Sequence, residues 1–133
     1  MRHLIPALAL VLGSGVPAAA APEDMSAAEF LAKATALKSR GMLALLSPDY
    51  NLLKNAGASA MRGYETRLAA ERAEGRPSSC PPSRIRVNRD VVLNHLRTYP
   101  VTERDSIDLQ QAVADYYRLT WPCRSPSLAR LPR

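Results

Sequence analysis

Residues 47–77 read SPDYNLLKNAGASAMRGYETRLAAERAEGRP, and this run sets the architecture. Ser47 is a helix-capping residue type, and Pro48 suits the first helical position. Asp49 places an acid in the first turn, where the helix dipole is positive. Leu52, Leu53, Ala56, Ala60, Met61, Tyr64 and Leu68 follow at helical spacing. The expected helix reaches Glu74 and stops at Gly75-Arg76-Pro77. Gly57 and Gly63 each weaken it by up to about 1 kcal/mol relative to alanine. They mark either a break or a place where another helix packs closely.

On the N-terminal side, Ser26-Ala-Ala-Glu29 has the form of a capping box. Phe30, Ala34 and Leu37, with Leu31, share one helical face, and Gly41 is a natural stop. Met42-Leu-Ala-Leu-Leu46 is expected as an apolar link, a helical turn pressed on the core. On the C-terminal side, residues 75–87 form a Pro- and Ser-rich connection, whose only hint of strand alternation is Arg84-Ile-Arg-Val87. Asn88 caps a third helix with Val91, Val92, Leu96 and Tyr99 on its apolar side, and Pro100 ends it. Ser106 and Asp108 open a last helix carrying Leu109, Ala112, Val113, Tyr116 and Tyr117, which stops at Pro122. The expected fold is all-α: a compact bundle of four to five short helices stapled by one disulfide.

The chain has 133 residues and is 47% hydrophobic. Part of that share is one block: Met1-Arg2-His3, then an apolar run over residues 4–16, then Pro17-Ala-Ala-Ala-Ala. A basic head, a short apolar stretch and an A-x-A end describe a secretory signal peptide over residues 1–20. Cleavage is expected after Ala20 or Ala21; the competing reading is a buried core helix. The apolar run is too short to span a bilayer, which takes roughly 20 residues, and no second run exists, so membrane insertion is not expected. The helical domain then covers residues 21–123, and residues 124–133 form a disordered basic tail.

Cys80 and Cys123 are the only cysteines. In an exported chain an even count reads as a disulfide, and two cysteines allow one pairing. A metal site is a poor alternative, because His95 is the only histidine beyond the signal segment and no C-x-x-C occurs. Oxidation also removes the thiolate that a reactive cysteine would need.

The formal charge is +6, but Arg124, Arg130 and Arg133 fall in the tail. Arg84, Arg86 and Arg89 form a second basic cluster in a loop, with no aromatic residues interleaved. Stacking platforms for bases are therefore missing, and no nucleic-acid partner is expected. The search for chemistry is mostly negative. No G-x-S-x-G or phosphate-binding glycine loop lies beyond the signal segment. His95 could act as a base, but it sits on a helix face where histidines are more often packed. Glu65, Glu71 and Glu74 suggest a carboxylate pair, yet Arg67, Arg72 and Arg76 interleave with them as on a solvated helical face. Tyr116, Tyr117 and Trp121 suit an interface or, more simply, the core. No catalytic, cofactor-binding or metal-ligating residue is assigned, and the chain is not expected to be an enzyme.

Five stretches read together resemble a known family. They are Gly63-Tyr64, Ser79-Cys80-Pro81-Pro82, the run from Val91 to Tyr99-Pro100, Ala112-Val113, and Trp121-Pro122-Cys123. In that order they are similar to the Rap/Tai family of immunity proteins, over roughly residues 60–123. The resemblance implies a small exported helical protein that neutralises a type VI secretion amidase in the periplasm. Such amidases cut peptidoglycan, and the inhibitor acts as a homodimer that blocks the active-site cleft. The implied partners are an amidase effector and a second copy of the chain. From the family only the cysteines Cys80 and Cys123 carry over, and the partner-binding residues stay unknown. The rival readings are a stand-alone periplasmic helical module with a structural or stress role, and a hydrolase built on Glu65 or Glu71.

Overall fold

The computed structural model describes residues 24–124. The expected signal segment, residues 1–20, and nearly all of the expected disordered basic tail, residues 125–133, lie outside the described residues. Four α-helices and one 3₁₀ helix make up the described fold: α1 (Ala27–Ser39), the 3₁₀ helix (Gly41–Leu46), α2 (Pro48–Ala73), α3 (Arg89–Thr98) and α4 (Leu109–Thr120). Among the described residues the only β feature is a single bridge between Ser26 and Asp108. Residues 84–87 form no strand.

The helix ends follow local chemistry. Ser26 Oγ accepts from the Glu29 amide at 3.1 Å, Asn88 Oδ1 from Val91 at 2.9 Å, and Asp108 Oδ1 from Gln111 at 2.7 Å. Each bond satisfies an amide that the first helical turn leaves without a partner. Ser47 occupies the cap position of α2, but its hydroxyl accepts from Arg40 at 3.2 Å rather than from an α2 amide. Gly41 (φ 57°) and Gly75 (φ 74°) reverse the chain after α1 and α2 in a region that side chains disfavour. Arg104 closes the other end of α3, donating to the Tyr99 carbonyl at 2.9 Å and the Arg97 carbonyl at 2.8 Å.

α2 runs unbroken through both internal glycines for 26 residues, so it is not short. Its buried residues Leu53, Ala56, Ala60, Tyr64 and Leu68 trace one face, which packs chiefly on α4 and on α1. Gly63 is a point of close packing: a Cβ there would sit 3.3 Å from the Gln110 side chain of α4. Gly57 is different, for a Cβ there would meet nothing within 4 Å.

Two apolar clusters result. One joins Phe30, Leu37, Leu53, Leu96, Leu109 and Ala112 from all four helices. The other joins Tyr64, Leu68, Ala114 and Tyr117 toward the C-terminal end of α2. α3 contributes one buried residue, Leu96, because it packs on α1 and α4 rather than along α2. Val91 and Val92, expected on its apolar face, are only half-buried. The link Met42–Leu46 corrects the sequence reading more sharply. It is helical, but only Ala44 packs against the core, while Met42 is 84% exposed and Leu46 82%. Five consecutive apolar residues cannot all point inward from a short helical segment that has one inward side.

Candidate functional site

The disulfide end is built as a staple. Cys80 and Cys123 are bonded, with Cα atoms 4.9 Å apart. The Cys80 amide donates to the Trp121 carbonyl at 2.8 Å, so the loop after α2 is fixed to the end of α4. Beneath it the buried Ser79 hydroxyl meets the Tyr64 hydroxyl at 2.6 Å. Glu71 accepts from the Ser78 amide at 2.7 Å and pairs with Arg67 at 3.5 Å. The Ser78 hydroxyl and amide bonds, with help from Arg67, hold the Glu71 carboxyl below its ordinary range. Glu71 is thus an anchor for the loop. Glu74 pairs with Arg76 at 3.3 Å, and both side chains are largely exposed. Of the three glutamates only Glu71 lines the polar cleft that also holds Arg67, Ser78 and Arg118.

From this staple an aromatic series runs across the bundle. Tyr64 contacts Tyr117 with ring centres 4.6 Å apart, and Tyr117 contacts Trp121 at 5.1 Å. Trp121 meets Tyr116 at 5.7 Å, Tyr116 meets His95 at 5.5 Å, and His95 meets Tyr99 at 5.4 Å. The rings meet tilted or edge-on, the arrangements that aromatic quadrupoles favour. Tyr117 is buried, and Tyr116 and Trp121 pack against it. Tyr99 donates to Asp115 at 2.7 Å, and Asp115 pairs with Arg118. Burial pushes His95 below the ordinary histidine range, against the opposing pull of the Ala112 carbonyl and Asp115. His95 is therefore neutral near pH 7 and serves as a packing element beside Tyr99 and Tyr116.

The other end of the molecule is open. A groove of about 1120 Å³ is lined by α1, the 3₁₀ helix, α2, α3, the segment leading into α3, and Leu109, Ala112, Val113 and Tyr116 of α4. Leu37, Leu53 and Leu96 lie deep in it, Val92 and Leu93 line it from α3, and Met42 and Leu45 form its lip. Lys38, Lys54, Arg86, Arg89 and Arg97 also line it, with Asp90 as the one acid. Arg86 and Arg89 come from the basic cluster seen in the sequence, and the structure places them at this apolar opening. Sequence reading missed the groove. The signal that could have found it is the length of the apolar run 42–46, which exceeds what one turn can bury.

Compared with protein-family models, curated proteins and solved structures, the chain matches none. The likeness to Rap/Tai proteins rests on the residues quoted for it. Among the described residues no helix is long and apolar enough to cross a membrane, and no group of three or more metal-ligating side chains gathers.

Proposed function

We propose that this chain is an exported binding protein that neutralises a peptidoglycan-degrading amidase by covering its active-site cleft. The observation that carries the reading is the protruding apolar turn, in which Met42, Leu43, Leu45 and Leu46 are all exposed. A contiguous exposed apolar patch marks an interaction site more often than chance. Here it stands on a bundle held by a disulfide, so little ordering is needed on binding. The order of motifs from Gly63-Tyr64 to Trp121-Pro122-Cys123 supplies the amidase as partner, through the family resemblance. The disulfide is compatible with an oxidising compartment such as the periplasm.

The same turn also suits a second copy of the chain, which keeps a self-associating periplasmic module as the rival reading. The test is to add the oxidised protein in excess to each amidase effector of its own species and follow peptidoglycan cleavage. Loss of one amidase's activity near equimolar ratio is the expected result. Full activity of every amidase overturns the reading and leaves the self-associating module. Met42→Glu with Leu46→Glu then locates the face: inhibition is lost while the melting temperature holds.

A further inference from the structure

We infer that the apolar groove at the open end is a binding site for a long-chain fatty acid. The inference goes beyond the amidase reading and does not depend on it. The groove's volume of about 1120 Å³ exceeds the roughly 300–1,000 Å³ of pockets that enclose small ligands, so it has room for a long alkyl chain. Most of its buried lining, Leu37, Leu53, Leu96 and Leu109 among it, is aliphatic, with Phe30 as the aromatic member, and such a surface suits a methylene chain.

The charge around it is mostly positive, five cations against the one acid Asp90. Lys38 and Lys54 stand on the side of α1 and α2, and Arg86, Arg89 and Arg97 on the side of α3. All five are exposed, and none is in an ion pair among the described residues. Away from the groove Lys33, Arg67, Arg76 and Arg118 have carboxylate partners, while Arg40, Arg62, Arg72, Arg84 and Arg104 are in no described ion pair. It is the gathering of five cations at one opening that marks the groove. Unpaired cations around a low-dielectric opening focus a positive potential there, which selects an anionic head group. Apolar depth and a cationic rim together describe a carboxylate amphiphile.

Gly57 adds a second observation. It lines the groove in the interior of α2, where glycine weakens the helix. At Gly63 the neighbouring Gln110 accounts for the missing side chain; at Gly57 no atom of the described residues does. The space its Cβ would enter is groove, and the glycine keeps that space open.

The experiment titrates the delipidated, oxidised full chain with the fluorescent fatty acid cis-parinarate. Saturable one-to-one binding is expected, displaced by palmitate and not by the cationic amphiphile dodecyltrimethylammonium. Gly57→Leu fills the groove without meeting any atom of the chain at Cβ. It is expected to weaken binding by about tenfold or more while the melting temperature holds or rises. Lys54→Glu with Arg89→Glu reverses two rim charges and is expected to weaken binding by about tenfold. Four outcomes overturn the proposal. The probe does not saturate; palmitate and dodecyltrimethylammonium displace it equally; a folded Gly57→Leu protein binds as well as the parent; or an acidic amphipathic peptide displaces the probe where palmitate fails.

Discussion

The two ends of α2 are finished in opposite ways. Past Gly63 its inward face meets α4, the Tyr64 hydroxyl is bonded to Ser79, and a disulfide closes the loop over it. Before Gly57 its inward residues Leu53 and Ala56 are buried in the larger core cluster, and a cationic groove opens beside them and the exposed apolar turn. One helix thus carries an end sealed by a disulfide and an end where apolar surface stays available. The two glycines in its interior differ in the same sense: close approach at Gly63, open space at Gly57.

Removing the staple should have the largest effect. The cysteines are 43 residues apart, and closing a loop of that size stabilises by about 4 kcal/mol in the chain-entropy view. That is a large part of the roughly 5–15 kcal/mol that holds a domain together. Cys80→Ser should lower the melting temperature strongly, and reduction of the parent protein should reproduce the shift. An equal melting temperature for oxidised and reduced protein would show that the sealed end does not depend on its bond.

Tyr64→Phe should come next, at about 1–3 kcal/mol, because it leaves the buried Ser79 hydroxyl without its partner. Chemical denaturation measures this directly, and a cost near zero would mean that water replaces the lost bond. Gly57→Ala should raise stability by about 0.5–1 kcal/mol, since the new methyl meets nothing. Gly63→Ala should gain less, because the Gln110 side chain must give way by a few tenths of an ångström. Equal gains at the two glycines would erase the distinction drawn between the ends of α2. On the exposed turn, Met42→Ser and Leu46→Ser should change stability by no more than about 0.5 kcal/mol. A larger loss in thermal melts would place that turn in the core after all.

Acid sharpens the same contrast. The Glu71 carboxyl is held below its ordinary value of 4.5 by Ser78 and Arg67 at the sealed end. Its stabilisation is complete above that value and is lost as the pH falls through the lowered one. Glu71→Gln should therefore flatten the fall of melting temperature below pH 4.5. An unchanged acid profile would remove Glu71 from the anchor.

Much of this was legible from residues close together in the chain. Ser26, Asn88 and Asp108 act as the caps their residue types announce, and Gly41 and Gly75 stop α1 and α2 where expected. Ser47 misled, because Arg40, seven residues away in sequence, takes its hydroxyl. Val91 and Val92 misled because apolar spacing shows that a helix has an inward face and not how fully neighbours cover it. The groove was invisible for the same reason: its lining comes from every helix, and no short window of sequence contains it.

The sequence by itself determined the helices, their ends and the cysteine pairing. Caps and periodicity act within one or two turns, and two cysteines can join in only one way. The tertiary structure alone decided which apolar residues are covered. α3 settles on α1 and α4, a groove stays open beside the N-terminal half of α2, and all of Met42–Leu46 but Ala44 turns outward. Burial is a property of the surfaces that meet, and those surfaces come from segments far apart in the chain.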